Sequence, residues 1–220
     1  MLTFILTITT ITIASVYTRG FLKWNENRTD LVQINDPILD SYPVIDTGKF
    51  INALQIFNYG MMVYFKWIGT FDLDLMLLCL IYFFPTRAFL LYLCPLKAHS
   101  KVITLGDPIV SKAIGSSPEF INDLFCSGHV ATGIFTALSM LTLWPKLVSL
   151  FTTFLMGYLM LYSKVHYTID IVIAPFVAFS IYSFALYSLT FLRLGPIDFF
   201  MVFPPLEECL RHYAAIKSFS

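Results

Sequence analysis

The sequence predicts an all-α, polytopic membrane protein with six transmembrane helices and an active site at one membrane face. Composition is the first reason: of 220 residues, 57% are hydrophobic, 17% aromatic and 13% charged. A water-soluble globular chain carries roughly 25% charged residues. The second is a mean hydropathy of +0.74, which leaves too little polar surface to wrap a core in water. The third is distribution, because the apolar residues gather into stretches that approach or reach the ~20 residues needed to cross a bilayer. A soluble enzyme, a secreted disulfide scaffold and a disordered tail are excluded. With 14 basic residues against 14 acidic, no nucleic-acid partner is expected. Cys79, Cys94, Cys126 and Cys209 lie far apart without C-x-x-C spacing, so neither a disulfide framework nor a zinc site is expected.

The expected spans are 2–18, 50–70, 73–95, 124–144, 147–165 and 169–192, in a single membrane domain that ends in an interfacial tail over 193–220. The first, LTFILTITTITIASVYT, is the weakest, with Thr at six positions. A signal peptide is its rival, but no Lys or Arg precedes the apolar run, where a basic region is expected. The polar segment KWNENRTDLVQINDPILDSYPVIDTGK reads as an external loop with room for a short interfacial helix. A second long loop, 96–123, has the length of a lid or binding loop. Gly69 and Pro145 mark the short links between spans two and three and between four and five. In the tail, Leu206, Leu210, Tyr213 and Lys217 keep helical spacing and suggest a short interfacial helix. Six spans place both termini on one side and both long loops on the other.

Ionisable groups within or at the ends of membrane helices are costly, and each is a functional hypothesis by default. Two clusters qualify. One is Asp123-Leu-Phe-Cys-Ser127-Gly128-His129, entering span four; the other is Ser163-Lys164-Val-His166-Tyr167-Thr-Ile-Asp170, between spans five and six. Span four runs away from the first cluster and span five returns, so both clusters lie on the same membrane face. If the helix is continuous, Asp170 reaches the His166 ring four residues away. A carboxylate on one imidazole nitrogen fixes the tautomer and frees the other as base or nucleophile. His129 then supplies the complementary proton donor, and the set suits metal-free chemistry at phosphorus. Gly128 permits close approach of backbone to a ligand, Ser127 can bond a phosphate oxygen, and Lys164 supplies positive charge.

Other readings of the same residues stand beside this one. A lone His-x-x-x-Asp pair is often only a structural hydrogen bond, and two His with one carboxylate also suit non-haem iron or zinc. A non-enzymatic pore or scaffold would place polar residues in the same way. His99 and His212 read as solvated or interfacial, and Asp72 and Asp74 as solvated turn carboxylates on the opposite face. Phe and Tyr residues read as lipid-facing or core packing, with Tyr and Trp as interfacial anchors.

Asp123-Leu-Phe-Cys-Ser-Gly-His129 and His166-Tyr-Thr-Ile-Asp170 together resemble the two signature motifs of the sphingomyelin synthase family, a branch of the type 2 phosphatidic acid phosphatase superfamily. The resemblance covers residues 120–180 and extends more weakly to Arg87–Pro95. It implies a lipid phosphotransferase that moves phosphocholine or phosphoethanolamine from a glycerophospholipid to ceramide, releasing diacylglycerol and using no metal or cofactor. It makes His166 the nucleophile, Asp170 its orienting base and His129 the acid–base group, and adds Arg87 and Asp123 to Ser127, Gly128 and Lys164 as phosphate-binding candidates. The implied partners are the bilayer, a phospholipid donor, a ceramide or diacylglycerol-type acceptor and a second copy in a homo-oligomer. The alternative is a hydrolase, phospholipase C-like or a lipid phosphate phosphatase, with water as acceptor.

Four positions depart from the pattern. Met160 stands where conventional type 2 phosphatases carry a phosphate-binding Arg, which argues against a plain phosphomonoesterase. Lys164 and Val165 replace the His-Asp pair of animal synthases, and Val130 replaces the usual Thr. The chain thus resembles a shorter, divergent, microbial relative whose acceptor need not be ceramide. Orientation is in conflict. The candidate face carries Arg19, Lys23, Arg28, Lys49, Arg87, Lys97, Lys101, Lys112 and Lys164, against Lys66, Lys146, Arg193, Arg211 and Lys217 on the other. That excess places the candidate face in the cytoplasm, whereas the resemblance implies a lumenal or external one.

Overall fold

A computed structural model describes residues 1–105 and 120–194, with side chains through Leu192. The expected tail helix, His212 and Lys112 lie outside the described residues. The first helix, α1 (Leu2–Val16), passes through a π-helical turn (Tyr17–Leu22) into α2 (Lys23–Glu26). Next along the chain come α3 (Pro37–Ser41), α4 (Gly48–Trp67), α5 (Leu73–Leu93), α6 (Gly128–Ser139), α7 (Leu143–Tyr162) and α8 (Thr168–Leu194). The described residues contain no β-strand, only two isolated bridges.

Among the described residues, four helical stretches are long and apolar enough to cross a membrane: Leu2–Glu26, Leu73–Leu93, Leu143–Tyr162 and Thr168–Leu192. They make the chain an integral membrane protein, with fewer qualifying helices than the six expected spans. The difference lies in α4 and α6. Helix α4 has 20 residues, but its sequence includes Lys49, Asn52, Gln55, Asn58 and Lys66, and the charged and amide groups lower its hydropathy. Helix α6 has 12 residues, a length of about 18 Å at 1.5 Å per residue, short of the ~30 Å hydrocarbon core. The expected 124–144 stretch is shortened because the chain bends at Phe125 and Cys126 before the helix starts and Met140 turns to extended backbone at its end.

The hydroxyls of the Thr-rich α1 and the turn after it are satisfied by the local backbone. The hydroxyls of Thr7, Thr10, Thr12 and Thr18 donate to the carbonyls of Thr3, Leu6, Ile8 and Ala14 at 2.6–2.9 Å, so none of these hydroxyls presents an unmet donor to lipid. The helix packs on α5. Polar groups of α4 are likewise turned inward: the Asn58 side-chain oxygen accepts from Ser149 at 3.2 Å and Thr152 at 2.9 Å on α7. Helix α6 packs against α4, α5, α7 and α8. At Gly133 an added Cβ would clash with the Thr153 side chain, so this glycine is what allows α6 and α7 to approach. Phe83 of α5 sets its ring against Phe135 of α6 at 5.5 Å and 76°, an edge-to-face arrangement that favours aromatic pairs.

Gly69 adopts φ 76° in the link from α4 to α5, a conformation glycine takes without a Cβ clash. Just beyond it, Asp72 corrects an expectation. It is buried, its Oδ1 accepts from the Leu75 amide at 3.1 Å, and its own amide donates to the Ser139 carbonyl at 2.9 Å. It is the N-cap of α5 rather than a solvated turn carboxylate.

Candidate active site

Ser127 begins α6 as its N-cap, with Oγ accepting from the Val130 amide at 3.5 Å and donating to Met160 Sδ at 3.7 Å. His129 is therefore a first-turn residue, partly buried, at the positive end of the helix dipole. The approach to the cap is strained: Phe125 and Cys126 adopt φ 63° and 72°. Non-glycine residues in this region cost on the order of 1–3 kcal/mol each and persist only when their surroundings hold them.

Here the holding groups are visible. Arg87 of α5 is buried and directs Nε to the Cys126 carbonyl at 2.9 Å, Nη1 to Asp123 Oδ2 at 2.9 Å and to the Tyr17 hydroxyl at 3.1 Å, and Nη2 to the Asp123 carbonyl at 3.2 Å. The Tyr17 hydroxyl in turn donates to Asp123 Oδ1 at 3.2 Å. Gly128 is needed for this guanidinium, since a Cβ there would lie 3.0 Å from Arg87 Nη1. Just before Asp123, Asn122 is tied to the end of α2. Its amide and side-chain nitrogens donate to the two Glu26 carboxylate oxygens at 2.6 and 2.8 Å, and its carbonyl accepts from Asn25 Nδ2 at 2.8 Å.

The second segment is built differently. Helix α7 ends with Lys164 at φ 55° and the Val165 amide donating to the Met160 carbonyl at 3.3 Å, the Schellman closure with Lys where glycine is usual. The Lys164 ammonium donates to the carbonyls of Leu39 and of Tyr42, the latter at 2.8 Å. The next helix begins only at Thr168, so the continuous helix assumed for the His166–Asp170 contact is absent. The contact forms all the same: Asp170 Oδ2 accepts from the Tyr167 amide at 3.0 Å and lies 3.3 Å from His166 Nδ1. The first bond is half of a capping box, in which a third-position carboxylate reaches back to the N-cap amide. A carboxylate that accepts from Nδ1 would leave Nε2 its lone pair. Asp170 is fully buried and His166 is 3% exposed; among the described residues, Asp170 Oδ1 has no hydrogen-bond partner. The Thr168 amide and hydroxyl donate to Asp36 at 2.7 and 3.1 Å.

The two segments adjoin. The Ser127 amide donates to the Asp170 carbonyl at 3.2 Å, which sets the start of α6 against the first turn of α8. Of the expected residues, Ser127, Gly128 and His129 thus share one locality with His166 and Asp170. Arg87, Asp123 and Lys164, expected at a phosphate, have polar atoms engaged within the protein. Met160 is fully buried beside Ser127. His99 pairs with Asp40 at 3.0 Å on the loop side. Among the described residues, no three His, Cys, Asp or Glu side chains gather so as to hold a metal ion. A cleft of about 540 Å³ lies elsewhere, between Trp24, Arg28, Asp30 and Tyr92.

Tyr17, Asn25, Glu26, Asp36 and Asn122 are not legible as site residues in the sequence. The one signal they carry is polarity next to an apolar run, and it does not reveal which loop each meets.

With the geometry in place, likeness to known proteins is informative. Residues 122–189 match the family model described as PAP2 superfamily C-terminal. The match takes in both histidines, the rest of the second motif, and the helices between and after them. It supports the type 2 phosphatidic acid phosphatase superfamily, whose members catalyse phosphoryl transfer or hydrolysis, and so supports an enzyme. No curated protein matches the chain.

Proposed function

We propose that the protein is a lipid phosphotransferase that moves a phosphocholine or phosphoethanolamine headgroup from a glycerophospholipid to the hydroxyl of ceramide or a similar lipid alcohol. The observation that carries this reading is the His166–Asp170 pair, joined through the Asp170 carbonyl to the helix start that bears His129. His166 Nε2 attacks phosphorus as the bond to the diacylglycerol oxygen breaks, and His129 protonates that oxygen. The acceptor hydroxyl then attacks the phosphoryl-histidine, loses its proton to His129, and the P–N bond breaks. The headgroup phosphate sits at the N-terminus of α6, where Ser127 and Gly128 begin a helix whose dipole attracts an anion. Arg87, Asp123 and Lys164 hold the loops around it.

Transfer is favoured over hydrolysis by burial. His166 and Asp170 are almost wholly shielded, and Met160 occupies the position that a phosphate-binding Arg fills in conventional phosphatases. An apolar, water-poor site favours a lipid acceptor. On this reading α4, and α6 together with the loop that leads into it, also cross the bilayer, giving six crossings with the candidate residues on one face.

The test uses purified protein in liposomes of phosphatidylcholine or phosphatidylethanolamine, with and without fluorescent ceramide, beside a His166→Ala control. A new fluorescent phospholipid that is absent from the control is expected and identifies the donor. Diacylglycerol release that ignores ceramide points to the hydrolase. No turnover in either sample removes the enzymatic reading.

A further inference from the structure

We propose that Glu26 is a positioning residue for the candidate active site, acting through Asn122 to hold the strained loop that presents His129; the proposal deepens the phosphotransferase reading and rests on it. Glu26 stands at the end of α2, 96 residues from Asn122 in sequence, and belongs to neither motif. Its two carboxylate oxygens are both used on a single residue, one by the Asn122 amide at 2.6 Å and one by the Asn122 side chain at 2.8 Å. Such charge-assisted pairs are short and directional. Every polar group of Asn122 is engaged: its carbonyl accepts from Asn25, and its Oδ1 accepts from the Ala98 amide at 2.9 Å. Asn122 is thereby fixed from three residues in two distant parts of the chain.

Fixing Asn122 matters because the strained loop begins immediately after it. Asp123 is held by Tyr17 and Arg87, Phe125 and Cys126 are at positive φ, and Ser127 starts the His129 helix. A strained pair of residues relaxes unless both ends are pinned. Arg87 pins Cys126 and, with Tyr17, Asp123, while Glu26 pins Asn122 at the very start of the loop. The π-helical turn at Tyr17–Leu22 contributes to the geometry. It carries an extra residue relative to an α-turn and so sets the phase at which Asn25 and Glu26 meet the loop. Loss of the Glu26 tie therefore shifts His129 without removing any group that touches substrate.

The geometry supplies a rescue. Glu26→Gln leaves an acceptor for the Asn122 amide but turns an NH₂ toward the Asn122 NH₂. Adding Asn122→Asp restores a donor–acceptor match, with the new carboxylate still able to accept from Ala98. In full-length protein reconstituted with phosphatidylcholine and ceramide, Glu26→Gln is expected to lower kcat for diacylglycerol release on the order of 100-fold, the usual effect of an ångström-scale misplacement. KM is expected to change little, and Glu26→Gln/Asn122→Asp should recover most of kcat. Hydrogen exchange over 122–129 in the same samples is expected to rise in the single variant and return in the double one. That second readout needs no catalysis, so it reports on the tie even if the lipid chemistry is misassigned. Unchanged exchange and unchanged kcat in Glu26→Gln would overturn the proposal. So would a kcat loss that the double variant fails to recover while its exchange returns to normal, because the loop would then be restored without restoring the site.

Discussion

The two histidine-bearing segments meet at the bond from the Ser127 amide to the Asp170 carbonyl, but the histidines are set in place differently. His166 takes its partner from its own neighbourhood: Asp170 is four residues on, and the same carboxylate caps the Tyr167 amide. The loop that presents His129 is instead held by Tyr17, Asn25 and Glu26 from the N-terminal helices and by Arg87 from α5. The contact that orients His166 is local, although remote carbonyls at Leu39 and Tyr42 and the Asp36 carboxylate also anchor its segment. The contacts that hold the His129 loop come from other helices, so its geometry is complete only when those helices are packed.

The strongest break in the comparison comes from the covalent step. With phosphatidylcholine labelled in its headgroup and quenched during turnover, His166→Ala is expected to carry no label and to show no activity. His129→Ala should still acquire label while turnover falls roughly 100- to 10,000-fold, the range for a lost acid–base group. Label on the His166→Ala protein would reverse the two roles. Next in size is Asp170→Asn, which keeps shape but fixes the wrong tautomer; kcat is expected to fall on the order of 10,000-fold with KM nearly constant, and a mainly raised KM would contradict an orienting role.

A smaller effect tests the body of α6 rather than its tip. Gly133→Ala places a Cβ against Thr153, and overpacking of this kind costs about 1–3 kcal/mol; thermal unfolding in detergent should show the loss, and a concurrent Thr153→Ala should recover most of it. The smallest effect belongs to the second segment. Burial opposes ionisation of Asp36, but the amides of Leu39, Thr168 and Ile38 and the Thr168 hydroxyl outweigh it and hold its carboxyl below the ordinary range. A depressed folded-state value contributes stability that is present above the unfolded value of ~4 and is lost as pH falls through the folded one. Melting temperature measured from pH 6 downward should therefore decline less steeply below pH ~4 in Asp36→Asn than in the parent; parallel curves would show that the cap contributes nothing.

The same contrast explains how much is legible in the sequence. His166 and Asp170 are visible as a pair because their relation is a spacing of four, even though a capping box rather than a continuous helix brings them together. The nearness of the two motifs comes from chain direction alone. Roles for Arg87, Asp123 and Lys164 are harder to read, since a cation near a motif looks the same whether it faces a phosphate or a carbonyl. Glu26 and Asn122 give no signal, because a bond across 96 residues leaves no periodicity. Span counting is limited in a related way: hydropathy detects apolar runs, but α6 is interrupted by its own caps, and α4 turns its amides toward α7.

The brevity of α6 has a consequence for how the molecule is made. A helix of 12 residues is too short to partition into lipid unaided, and its enclosing surfaces on α7 and α8 are translated after it. A chain made from its N-terminus therefore lacks the surfaces that hold α6 until α7 and α8 follow, and the Ser127–Asp170 bond that joins the two motifs closes only after residue 170 has been made. The order of synthesis thus puts the junction of the two motifs among the last contacts to form.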